Sequence, residues 1–209
     1  MVHLSKRFCR LLQNISVNFT ATAPALWQAL QAAYQEPHRH YHTQQHLFEC
    51  LQLFDTYHYL AKNPLAVEFA LWFHDAVYQP QRFDNEQQSA IWAVTVLEQA
   101  EIAAPFIQQV YALIMATNHQ QPPQTEDEKL LVDIDLGILA AAPARFAQYQ
   151  QQIRAEYEWV AEMIYQEKRR QVLTHLYNNG DIFHHADIKT SLESSAQINL
   201  QQTIGTCMK

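Results

Sequence analysis

Glycine is nearly missing from this chain: three in 209 residues, against an ordinary share of about 7%. Sheet proteins with many tight turns depend on glycine, whereas the abundant alanine, leucine, glutamine and glutamate favour helix, so an almost entirely helical fold is expected. Cysteine is also scarce. Cys9, Cys50 and Cys207 are odd in number, far apart and free of Cys-x-x-Cys spacing, which excludes a disulfide framework and a thiolate zinc site and fits a reducing compartment. No run of about 18 apolar residues occurs, so no membrane contact is expected. The opening Met1-Val2-His3-Leu4-Ser5-Lys6-Arg7 and the following Cys9 to Asn14 are too polar for a signal-peptide core, and a cytoplasmic location is expected. Clustered positive charge is lacking too. The net charge is −7 and only Lys168-Arg169-Arg170 is dense, so no nucleic-acid polymer is expected as a partner, and that triplet reads as a solvated helix-end face.

What is present is helical periodicity. The length suits one well-cored domain over 1–209, with 1–23 a peripheral N-terminal helix and 177–209 a C-terminal helical extension. Apolar spacing of three and four predicts helices over Leu4 to Ile15, Pro24 to Gln35, Thr43 to Leu60 and Pro64 into His74-Asp75. The last is apolar nearly all round and should be central. Further helices are expected from near Asp84, then over Pro105 to Thr117, Glu126 to Ala142, Pro143 to Leu176 with a break, and Thr190 to Thr203. Val132 to Ile138 alternates like a strand, but no partner strand is visible and helix is kept. On a helix, positions two apart diverge by about 200°, so only one of Asp133 and Asp135 should face any given ion.

The chemistry concentrates in Ala70-Leu71-Trp72-Phe73-His74-Asp75-Ala76-Val77-Tyr78. A carboxylate carried into apolar surroundings costs several kcal/mol unless cations or donors meet it. A bound metal is the simplest partner, and His46 upstream with Asp135 downstream, in an equally apolar stretch, would complete a His₂Asp₂ set.

His46, Phe73-His74-Asp75 and Asp135 resemble the H…HD…D signature of the HD-domain superfamily of metal-dependent phosphohydrolases. The wider pattern resembles one bacterial branch of it: Arg39-His40-Tyr41-His42, Trp72 to Tyr78, Asn85-Glu86-Gln87-Gln88-Ser89-Ala90, Asp133 to Leu136, Ile153-Arg154-Ala155-Glu156-Tyr157, and Glu193 with Asn199-Leu200. The resemblance runs from about residue 24 to residue 203. It implies an all-α, single-domain HD-type helical bundle with one divalent ion held by His46, His74, Asp75 and Asp135. Superfamily branches with two metals supply extra histidines before the last aspartate. Only His119 stands there, so mononuclear chemistry is expected.

Two imidazoles and two carboxylates suit Mn²⁺, Mg²⁺, Fe²⁺, Co²⁺, Ni²⁺ or Zn²⁺, and ligand type alone does not choose among them. Glu86 is the first candidate acid or base, with a first-turn glutamate offsetting helix charge as the alternative. Asp133 is the second, with a cap or salt bridge as its alternative. Arg39, His42 and His119 are candidate phosphate contacts; His42, four before His46, could share its helical face and orient it instead. Tyr78 could line the pocket or simply pack. Arg154 could touch substrate or form a structural Arg–Glu pair. The expected activity is hydrolysis of a phosphoester in a small phosphorylated substrate, a nucleotide first. An HD-fold iron oxygenase with two irons and a non-catalytic nucleotide- or partner-binding module are the alternatives, and a homo-oligomer is left open.

Overall fold

A computed structural model describes residues 2–178 and 180–206; Cys207 and the outermost ends of the two expected terminal segments lie outside them. Among the described residues the chain forms ten α-helices and three short 3₁₀ segments, and no strand. The helices are α1 (Val2–Ile15), α2 (Ala23–Ala33), α3 (Gln44–Tyr57), α4 (Pro64–Phe73), α5 (Asn85–Gln99), α6 (Ala104–Ala116), α7 (Glu126–Asp135), α8 (Pro143–Glu156), α9 (Glu162–Asn178) and α10 (Ala186–Thr206). The all-α expectation holds. Two compact units divide the chain, residues 1–132 and 133–209, and α7 runs across the division.

In the first unit α4 is central, as its apolar circumference requires. It packs against α1, α3, α5 and α6. Asn63 caps it by accepting the Ala66 N–H at 3.3 Å, and Pro64, with no N–H to lose, opens it. Trp72 is fully buried and meets Phe8 at 4.9 Å and Trp27 edge-on at 6.0 Å. Burying one such indole contributes on the order of 4–6 kcal/mol before packing details. The one charge inside α4, Glu68, is met by Arg7 Nε at 2.6 Å, and Arg7 also reaches Asp55 at 2.8 Å, tying α1 to α3 and α4.

The approach to α4 is held by an acid. Buried Asp127 of α7 accepts the backbone N–H groups of Lys62 at 2.6 Å and Asn63 at 3.0 Å, and a Gln109 amide N–H at 2.9 Å. The two backbone donors lie just ahead of α4 and have no partner within it.

In the second unit α10 packs along α9 and along the 3₁₀ segment Leu136–Ala140 that follows α7, and α8 packs on the same segment. Asn199 of α10 donates to Leu139 O at 2.8 Å and Ala141 O at 2.9 Å, satisfying carbonyls freed by that segment's end. Glu193 accepts the N–H groups of Ile182 and Phe183. The expected break after Pro143 falls between Glu156 and Glu162.

Candidate metal centre

The centre is built at the start of α3 and the end of α4. Thr43 caps α3 by accepting the Gln45 N–H, which places His46 in the first turn with only 2% of its surface exposed. At the other end the apolar run carries His74 to the C-cap of α4, equally buried, and Asp75 follows in the turn. His46 Nε2 lies 3.1 Å from His74 Nε2; Asp75 Oδ2 lies 3.3 Å from the first and 3.1 Å from the second.

That triangle tests the fit of a metal ion. An ion with bonds near 2.1 Å separates adjacent ligand atoms by about 3.0 Å in an octahedron and about 3.4 Å in a tetrahedron, and all three edges fall in that interval. The proton placement agrees. His74 Nδ1 sits 2.8 Å from Leu71 O, an acceptor only, so Nδ1 carries the hydrogen and the neutral ring turns its Nε2 lone pair toward the centre. Asp75 Oδ2 is a buried oxygen without a conventional hydrogen-bond donor. Lone pairs and a carboxylate oxygen converging at these distances need positive charge between them. Burial alone would raise the Asp75 pKa, but the electrostatic pull of the neighbouring His74 and His42, with the close approach of His46 and His74, holds it well below the usual carboxylate range. A proton or a divalent ion can supply that charge.

One further side chain of the same unit enlarges the group. Cys50, one turn along α3, puts Sγ 3.6 Å from His46 Nδ1. Asp135 is the last residue of α7 and belongs to the second unit; His46, Cys50, His74 and Asp75 belong to the first. The group in the first unit could hold a metal ion.

Around it, several residues sit otherwise than the sequence suggested. Arg39 is not available to a phosphate. It is 5% exposed and its fork is turned on the chain: Nε to Glu36 at 2.9 Å, Nη1 to His42 O at 3.2 Å and Asp75 O at 2.6 Å, Nη2 to Ala76 O at 3.1 Å. Its guanidinium lies over the rings of Tyr34 at 5.4 Å and Tyr78 at 5.5 Å. Arg39 thereby straps the turn before α3 to the turn after α4, the two segments that carry the ligands.

Asp133 is not placed as an acid or base. It is fully buried, and its oxygens accept the N–H groups of His184 and His185 and meet His184 Nδ1 at 2.8 Å, anchoring the start of α10. The divergence expected two positions apart on a helix is what separates it from Asp135. Arg154 donates to Glu162 at 2.7 Å, Tyr157 O at 2.5 Å and Val160 O at 3.1 Å, bracing the break between α8 and α9 as the Arg–Glu alternative expects.

His42 does not share a helical face with His46, because α3 begins only at Gln44; it lies in the preceding turn, stacked on Tyr78 with ring centroids 4.0 Å apart, and 5.9 Å from the His46 ring. Tyr78 is buried at 7% exposure in that stack. His119 is exposed, in a left-handed conformation (φ 53°) just past the end of α6, and is not a member of the metal-capable group. Glu86 stands half-buried in the first turn of α5. One turn on, Ser89 accepts the Val77 N–H at 3.0 Å and donates to Val77 O at 3.2 Å, so this face of α5 is laid against the loop that leaves Asp75.

No family model, curated protein or solved structure matches the chain.

Sequence reasoning missed Cys50 as a neighbour of His46, although an i, i+4 pair on one helix was there to be read. It also missed the Arg39 strap and the Ser89 clasp. Both act on backbone atoms of turns, which side-chain spacing does not encode.

Proposed function

We propose that this protein is a divalent-metal-dependent phosphohydrolase of the HD type that its motifs resemble, acting on a small phosphorylated substrate with a nucleotide as the first class to test. The observation that carries the reading is the buried triangle of His46 Nε2, His74 Nε2 and Asp75 Oδ2, with edges of 3.1 to 3.3 Å. His46, His74 and Asp75 hold the ion. When bound, a divalent ion supplies Lewis acidity toward a phosphoryl oxygen and lowers the pKa of water.

The chain's own residues do the rest. Arg39 fixes the Asp75 and Ala76 carbonyls and so the aim of the carboxylate. Leu71 O holds the His74 proton on Nδ1. Glu86, on the α5 face clasped to the same loop, takes or returns the proton at its carboxylate as the phosphoester is cleaved. His42, half-buried on Tyr78, stands beside the ligands to meet substrate oxygen. The net negative charge favours a small substrate over a polyanion.

Metal analysis of the purified protein followed by a phosphoester panel, with His46→Ala alongside, tests this. Hydrolysis of at least one phosphoester that depends on the ion and is lost in His46→Ala is expected. No hydrolysis by the fully metal-loaded protein across a broad panel contradicts it. Two irons per chain would point to an oxygenase, and tight nucleotide binding without product to a binding module.

A further inference from the structure

We infer that Cys50 is a positioning residue of the metal centre and not one of its ligands: its thiol covers the face of the His46 imidazole and fixes the plane in which Nε2 meets the ion. The inference rests on the metal-binding part of the reading above and is independent of hydrolysis.

The position of the sulfur carries it. Cys50 lies one turn along α3 from His46 and is 2% exposed, with Sγ 3.6 Å from Nδ1 and 3.7 Å from Nε2 of that ring. A point in the ring plane at those distances from both nitrogens falls within about 3 Å of a ring carbon, well inside the roughly 3.5–4.0 Å at which non-bonded heavy atoms rest. Sγ therefore lies over the ring face. Imidazole binds a metal through a lone pair in its own plane, so an ion about 2.1 Å out from Nε2 stands roughly 4.5 Å from Sγ, about twice the length of a Zn–S bond. The thiol touches the ligand without reaching the ion.

The outer torsion of a histidine side chain is soft, so the neighbours packed on the ring decide how it is turned. Here those neighbours are Cys50 Sγ and the Tyr41 ring, whose centroid lies 4.7 Å from that of His46 at an inclination of 40°. Removing the sulfur frees the ring to swing and opens the 3.1 Å and 3.3 Å edges that His46 makes with His74 and Asp75. With sulfur withheld, this unit offers the ion nitrogen and oxygen only, without the preference for soft ions that a thiolate brings.

Titration of the chelator-stripped full-length protein with Co²⁺, followed by absorbance, tests the inference on the parent, Cys50→Ala and Cys50→Val. The parent should bind Co²⁺ and show no sulfur-to-cobalt charge-transfer band. Cys50→Ala should weaken Co²⁺ binding about tenfold, whereas Cys50→Val, which covers the ring again but offers no donor atom, should stay within about threefold of the parent. Should Cys50→Val fail to fold by circular dichroism, the parent spectrum and Cys50→Ala decide. A charge-transfer band in the parent makes Cys50 a ligand and overturns the inference, as does unchanged affinity in Cys50→Ala or an equal loss in both variants. A parent that takes up no Co²⁺ overturns the metal reading and this inference with it.

Discussion

Asp75 shows how much one residue's surroundings demand. Its Oδ2 faces two imidazole nitrogens at 3.1 and 3.3 Å in a buried space; His74 was legible from sequence because its apolar neighbours leave the His74-Asp75 pair in need of a partner, and His46 from the upstream place it takes in the H…HD…D pattern. Arg39 was legible as important but not in its role, since only the fold reveals that its donors end on the carbonyls of His42, Asp75 and Ala76. Arg39→Lys keeps the charge but loses the fork. It should weaken divalent-metal affinity about 10- to 100-fold and cost about 2–4 kcal/mol of stability, read by metal titration and urea denaturation; unchanged affinity would remove the strap's role. The Asp75 pKa is lowered on folding. Its stabilising contribution in metal-free protein is therefore present above the ordinary carboxylate pKa of about 3.9 and is lost as pH falls through the lower folded value. Asp75→Asn should flatten that acid limb in urea midpoints measured against pH on chelated protein.

At the scale of elements, periodicity placed the helices well because each buries one apolar face or, for α4, its whole surface. Val132 to Ile138 was the ambiguous stretch, and it resolves into the end of α7 followed by a 3₁₀ segment. That helical geometry splits the paired aspartates, sending Asp133 to the His184 and His185 N–H groups. What periodicity could not supply is how helix ends are satisfied from elsewhere in the chain. Asp127 reaches the Lys62 and Asn63 N–H groups from more than sixty residues away. Asp127→Ala leaves three donors without their carboxylate and should destabilise the first unit by about 2–3 kcal/mol, seen as a lower urea midpoint. A change within about 0.5 kcal/mol, the range of ordinary surface substitutions, would show that water replaces it.

At the scale of the molecule, low glycine and cysteine and abundant helix formers favour a helical fold, and the described residues form ten helices. A ligand that binds only the folded state stabilises it by mass action, about 2.7 kcal/mol at a hundredfold excess over Kd. Chelation should therefore lower the Tm of metal-loaded protein, and re-addition of the divalent ion should restore it, whereas the Tm of His74→Ala should not respond. The most direct measurement is the metal content of the purified chain by mass spectrometry, compared between the parent protein and Asp75→Asn. The account predicts close to one tightly held divalent ion per chain in the parent and little or none in the variant. A parent chain that binds no divalent ion on titration, or a variant that retains it in full, would contradict it.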